Sequence, residues 1–156
     1  PQNIVIGGAA GALPPVIGWT IATNTISLEP LTFFFIIFFW TPSHFWALSL
    51  YKADDYKKAK IPMLPLTDGI EKTKIYIFVY SLLMLPVIIF PYIINFSGLA
   101  YLAPALTFTI YYNVICYDLY KYKKNKFDLK KAKKVFSYSI LYLFLIFVLF
   151  LIDNLI

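Results

Sequence analysis

The chain has 156 residues, of which 60% are hydrophobic, 20% aromatic and only 14% charged. So few charges cannot coat a water-soluble domain of this length, and the mean hydropathy of +0.72 makes a bilayer the solvent of most of its surface. The net charge of +6 comes from fourteen lysines and no arginine; nucleic-acid surfaces lean on arginine forks, so no nucleic acid is expected as a partner.

A helix needs about 20 apolar residues to cross the hydrocarbon core. Five segments qualify, roughly 4–23, 30–51, 75–96, 99–120 and 135–152. The fold class is therefore all-α, a polytopic transmembrane bundle. Because apolar segments recur along the whole chain, a secretory signal does not account for them. The chain begins with Pro1 rather than methionine and carries no N-terminal targeting segment, which leads us to expect a fragment or a processed product.

The first span is rich in small residues. Gly7 and Gly11 form a small-xxx-small step, with Gly8, Ala12 and Gly18 nearby, and such residues let helix backbones approach closely in a bilayer. Close packing and direct ligand contact both remain open for them. Pro14 and Pro15 should kink this helix. The second span holds Pro42 and the only histidine, His44. The loop at 52–74 should continue the second helix through Lys60 until Pro62 and Pro65 break it. Asp68, with Glu71 three residues on, should cap the third span. Cys116 lies alone in the fourth span, so it forms no internal disulfide and reads as a small buried hydrophobe.

The lysines sort by loop. Six lie between the second and third spans, at 52, 57, 58, 60, 72 and 74, and eight in the segment 121–134, whereas the loops at 24–29 and 95–98 have none. Two spans separate the basic loops, so both lie on one side, which the positive-inside rule makes cytoplasmic. The chain then starts inside and ends outside. The segment 121–134 reads as a topology signal in contact with anionic lipid, or as a means of drawing in an anionic substrate.

One constellation could carry chemistry. Asp54 and Asp55 stand where the second span leaves the membrane, flanked by Lys52, Lys57 and Lys58. Adjacent carboxylates suit Mg²⁺ and lysines suit phosphate oxygens, so the group fits a magnesium diphosphate; a mutually neutralised, solvated loop is the alternative. His44 lies seven residues before Tyr51, about 10 Å below the surface at the helical rise. At that depth it either serves function or bonds to a neighbouring helix. From His44 to Asp55 is eleven positions, close to three turns and a rise of about 16 Å, which puts both on one face with Leu48 and Tyr51 if the helix is unbroken despite Pro42. An amphiphile would then have its charged head at Asp55 and its apolar body near His44.

The stretches 1–11 (PQNIVIGGAAG), 40–58 (WTPSHFWALSLYKADDYKK) and 59–69 (AKIPMLPLTDG) resemble the heme O synthase family, the protoheme IX farnesyltransferases, within the membrane prenyltransferase superfamily that includes the ubiquinone-pathway enzyme. The likeness is strong through Ile75 and rests mainly on hydropathy beyond. It implies nine transmembrane helices, of which this chain supplies the fifth to ninth as a single incomplete domain over 1–156. It also implies two aspartate-rich cytoplasmic motifs: the second matches Asp54 and Asp55, and the first would belong to the N-terminal half of the same protein. Ser43 departs from the pattern, which commonly has a second proline there; a softer kink is expected and no loss of chemistry.

The implied reaction joins the farnesyl group of farnesyl diphosphate to a vinyl group of heme B, with addition of water, giving heme O for terminal oxidases. Asp54 and Asp55 would hold Mg²⁺, and Lys52 and Lys58 would join them in stabilising the departing diphosphate. His44, Trp46, Tyr51 and Tyr56 would bind the substrates, His44 as an iron ligand or through a hydrogen bond, and the ring faces of Tyr51 and Phe45 would stabilise an allylic cation. The protein would lie among the lipids of a bacterial inner membrane or the mitochondrial inner membrane, with its basic loops on the cytoplasmic or matrix side. The competing readings are a prenyltransferase acting on an aromatic quinone precursor, against which the WTPSHFW run counts, a transporter, against which the near-absence of charge within the spans counts, and a fragment with no activity of its own.

Overall fold

The computed structural model describes residues 3–122 and 129–156. Lys123, Lys124 and Lys126 of the second basic loop lie outside these, as do Pro1 and Gln2 of the first motif. Among the described residues every regular element is a helix: α1 (Asn3–Ala12), α2 (Pro14–Thr23), α3 (Glu29–Tyr51), α4 (Ala53–Lys58), α5 (Leu64–Thr67), α6 (Ile70–Ile93), α7 (Leu99–Lys121) and α8 (Leu129–Asp153). Five are long and apolar enough to cross a membrane, with α1 and α2 together making one of them.

The local chemistry accounts for most boundaries. Pro14 and Pro15 lack the N–H groups that would continue α1, so that helix ends at Ala12 and the chain restarts as α2. Asn24 ends α2 in the left-handed region, its N–H donating to the Thr20 carbonyl at 2.9 Å. α3 runs straight through Pro42; the hydroxyls of Thr41 and Ser43 donate to the flanking carbonyls of Ile37 and Trp40 at 2.7 and 3.0 Å. Such side-chain bonds make proline tolerable in membrane helices.

Two expectations are corrected at the basic loop. The second span does not run on through Lys60. It stops at Tyr51, Lys52 breaks the helical path at φ −111° and ψ 28°, and α4 begins afresh at Ala53. The third span starts at Ile70, earlier than its apolar run, and its N-cap is Gly69 rather than Asp68. Gly69 sits at φ +88°, a conformation that side chains rarely adopt. Asp68 instead accepts bonds from Lys72 and Thr67 at 3.1 and 3.2 Å.

α3, α6, α7 and α8 pack as a ring, each against the next and α8 back onto α3, while α1 and α2 lie against the outer side of α3. Ile36, Ala47, Ile77, Met84, Tyr112 and Ile146 fill the centre, and Cys116 is buried with them. Polar bonds cross the apolar packing: Ser43 to Tyr112 at 2.8 Å, Ser81 to Asn113 at 3.1 Å, and Thr109 to Tyr142 at 2.9 Å. These tie α3, α6 and α8 each to α7, and such bonds are worth about 0.6–2 kcal/mol apiece within a membrane. The hydroxyl of Ser43 therefore makes an interhelical bond that a proline there could not.

The close approach of α1 to α3 occurs at Gly8, where an added Cβ would come within 3.1 Å of Thr41 Cγ2; at Gly7 and Gly11 it would meet nothing. The small-xxx-small step borders a cleft of about 410 Å³ between α1 and α3 instead of packing within the described chain.

The N-terminus of α7 is capped from the far end of the sequence. Asp153 accepts from the N–H groups of Gly98 and Tyr101 at 2.7 and 3.1 Å. Asp153→Ala leaves both groups without that partner and should cost about 1–2 kcal/mol, the usual loss for a helix cap. Urea unfolding of the purified protein in mild detergent would measure this, and a change within a few tenths of a kcal/mol would contradict the role.

Candidate functional site

The break at Lys52 places the acidic pair in α4, a separate short helix after α3. Tyr51, Lys52, Asp54 and Asp55 line a cleft of about 200 Å³ at the end of that helix. Both aspartates are exposed. Lys52 Nζ lies 3.1 Å from Asp55 Oδ2, and this pairing holds the Lys52 ammonium above the usual lysine range. With 49% and 62% of the two side chains exposed, the pair is held loosely and can be exchanged for other partners. Lys58 and Tyr56 are on α4, outside the lining of this cleft. Across the cleft, the Nζ of Lys133 on α8 lies 5.8 Å from the centre of the Tyr51 ring, so the second basic segment reaches the acidic loop.

Among the described residues no three acidic, histidine or cysteine side chains converge into a metal cage. Mg²⁺ does not need one, since it is commonly held by one or two carboxylates together with phosphate oxygens and water. Asp54 and Asp55 thus fit as hard-oxygen donors for Mg²⁺ that arrives with a diphosphate.

The shared face proposed for His44 and Asp55 does not survive the fold. It required one unbroken helix, and Lys52 interrupts it. His44 and Trp46 also part company, because two residues along a helix turn the side chain by about 200°. His44 is 8% exposed and faces α8. Its Nδ1 lies 2.7 Å from Ser139 Oγ, and its ring stacks against Trp40 and Phe136 with centroids 4.2 and 4.8 Å away. Of the two readings left open for this residue, the bond to a neighbouring helix is present. Trp46 faces α6 instead, packed against Tyr76 and Tyr80 at 5.7 and 5.2 Å.

A larger cavity lies beside α6, lined by residues that the sequence motifs did not bring together. It has a volume of about 660 Å³ and is lined by Val5, Trp46, Leu64, Asp68, Lys72, Tyr76 and Tyr80. Lys72, Tyr76 and Tyr80 are four residues apart in succession and form one stripe along the start of α6, and Asp68, just ahead of that helix, joins it through its ion pair with Lys72. The spacing of Lys72, Tyr76 and Tyr80 is the signal in the sequence that points to this face. Lys72 lies 3.1 Å from Asp68 and holds its carboxyl below the usual carboxylate range. The indole N–H of Trp46 is buried without a protein partner, a donor available on the cavity wall if a bound acceptor opens a path to it. The cavity thus pairs a charged rim with an aromatic lining, the combination that an amphiphile with an anionic head requires.

Comparison with known proteins supplies the family. The model of the UbiA prenyltransferase family matches residues 1–140. A protoheme IX farnesyltransferase of Pelagibacter ubique is 78% identical over 154 residues, covering 99% of this chain and 51% of that protein. Those of Parvibaculum lavamentivorans and Neorickettsia sennetsu are each 46% identical, covering 99% and 98% of this chain and 48% and 49% of theirs. The chain therefore spans about half the length of the curated relatives it matches, the C-terminal half. No solved structure matches it. With five apolar helices of spanning length and this match over nine-tenths of its residues, the chain is an integral membrane protein and belongs to the UbiA prenyltransferase family.

Proposed function

We propose that this chain is the C-terminal half of a protoheme IX farnesyltransferase, which moves the farnesyl group of farnesyl diphosphate onto a vinyl group of heme B to make heme O. The observation that carries the reading is the 78% identity, over 99% of the chain, to a protein of that name. The acidic cleft and the charged, aromatic cavity beside α6 support it. The chain forms one domain with an N-terminal half that supplies the first acidic motif.

In this reading Asp54 and Asp55 bind Mg²⁺ at the diphosphate. Bound there, the ion neutralises charge that builds on the leaving group. Lys52, whose contact with Asp55 is loose, would be free to pair with phosphate oxygens, and Lys58 and Lys133 would add positive potential near the cleft. Tyr51 and Tyr56 border the diphosphate. Trp46, Tyr76 and Tyr80 present aromatic surface to the isoprenoid, where ring faces stabilise an allylic cation and the apolar wall excludes water until the new bond forms. His44 acts toward the heme. Removal of metal tests the core of this scheme. Membranes containing the full-length protein should transfer radiolabelled farnesyl groups to heme B, lose that transfer on addition of EDTA and regain it with Mg²⁺. Undiminished transfer in EDTA would remove the metal from Asp54 and Asp55.

The loops at 52–74 and 121–134 lie on the cytoplasmic or matrix side of a bacterial or mitochondrial inner membrane. Cysteines placed at Lys57 and Lys121 should react with an impermeant maleimide from that side alone, and those at Asn24 and Asn95 only from the other. Labelling of Lys57 and Lys121 from opposite sides would overturn the topology.

A further inference from the structure

The surroundings of His44 determine which of its nitrogens carries the proton. Ser139 Oγ lies 2.7 Å from His44 Nδ1 and 2.6 Å from the carbonyl oxygen of Phe136. A serine hydroxyl has one proton, and a carbonyl oxygen can only accept. If the hydroxyl proton pointed at Nδ1, Oγ and the Phe136 oxygen would face each other lone pair to lone pair at 2.6 Å. Both contacts are satisfied in one way only for a neutral ring: Nδ1–H donates to Oγ, and Oγ–H donates to Phe136. The rest of the pocket locks this arrangement. Trp40 Nε1 donates to the Ser139 carbonyl at 2.8 Å while its ring stacks on the imidazole at an interplanar angle of 18°. Phe136 covers the ring at 28°, and Phe45 meets it edge-on at 83°. Among the described residues no hydrogen bond reaches Nε2.

We infer that Ser139, on α8, is a positioning residue that holds His44 as the Nδ1–H tautomer and so leaves the lone pair of Nε2 as an acceptor. The bond made by one imidazole nitrogen sets the chemistry of the other. Nε2 can then take a proton donor or a metal centre but cannot donate. The tautomer follows from the geometry alone; its use on a porphyrin rests on the proposed function.

The test is nitrogen NMR of the membrane-embedded full-length protein labelled with ¹⁵N-histidine, with His44 identified by the signals lost in His44→Gln. Two-bond couplings to the ring protons distinguish Nε2 from Nδ1. The expected result without ligand is one protonated nitrogen, Nδ1, and one unprotonated nitrogen, Nε2. Ser139→Thr keeps the hydroxyl and should preserve this pattern, whereas Ser139→Ala should mix or invert the tautomers. An Nε2–H tautomer, two protonated nitrogens, or an unchanged pattern in Ser139→Ala would overturn the positioning role. Zinc protoporphyrin and metal-free protoporphyrin then serve as probes. A shift of Nε2 with the zinc form alone supports acceptance of a metal, and a shift with both supports acceptance of a hydrogen bond. No shift with either overturns the acceptor role. If heme O synthesis itself failed to appear in the protein, the ligand-free tautomer result would still stand or fall by itself.

Discussion

Replacing either aspartate of the acidic cleft with asparagine should lower heme O formation about 10²-fold or more, the usual loss when a group that stabilises transition-state charge is removed. Asparagine keeps the size and much of the hydrogen bonding of aspartate but loses the charge that a metal requires. Asp54 and Asp55 are exposed, and the ion pair that Asp55 makes with Lys52 is half open to water. Such a pair contributes at most about 1 kcal/mol. Stability and membrane insertion should therefore change little while turnover collapses, and that contrast separates a catalytic role from a structural one. Quantifying heme product per inserted protein for Asp54→Asn, Asp55→Asn and the double variant measures it. A double variant that turns over like the wild type would remove the cleft from the reaction.

The second large effect concerns folding. Glu71→Ala should destabilise the protein by about 3 kcal/mol, because it strips a buried cation of its counter-charge. The Lys74 side chain is 1% exposed; its Nζ donates to Glu71 at 2.9 Å and to the Tyr122 carbonyl at 3.0 Å. It thereby ties the first turn of α6 to the end of α7, next to the site. With Glu71 gone, the carbonyl alone faces the ammonium. Glu71 is 43% exposed, so water can enter and hold the cost toward the lower end of the range for broken buried pairs. Lys74→Met in the same chain removes the stranded charge, so the double variant should be more stable than Glu71→Ala alone. Denaturant unfolding of the three variants gives the coupling directly. If the double variant proved less stable than Glu71→Ala, the pair would not be the source of the effect.

Features carried by long runs of residues were legible in the sequence. Five apolar segments and the lysine-free loops at 24–29 and 95–98 gave the spans, and the two prolines marked a kink in the first of them, where the helix in fact restarts as α2. Features decided by single contacts were not. Nothing in KADDYKK marks a helix break, because no proline or glycine stands there; the interruption is a backbone turn at Lys52. Gly7, Gly8 and Gly11 look alike in the sequence, and only the position of Thr41 selects Gly8 for the close contact. α6 begins ahead of its apolar run because Lys74 is neutralised inside the bundle by Glu71, a pairing that hydropathy cannot register. For His44 the sequence left two readings open, since its partner Ser139 is 95 positions away on another helix. The aspartate pair was legible as chemistry, but the larger cavity beside α6 was not, although its stripe at 72, 76 and 80 was visible.

The identity of the prenylated product tests the central claim most directly. Membranes carrying the full-length protein would be incubated with farnesyl diphosphate, Mg²⁺, heme B and an aromatic quinone precursor together, and the products extracted for mass spectrometry. The expected product is a heme whose mass has grown by one farnesyl group and one hydroxyl, with the aromatic acceptor unchanged. A prenylated aromatic acceptor beside unaltered heme B would contradict it.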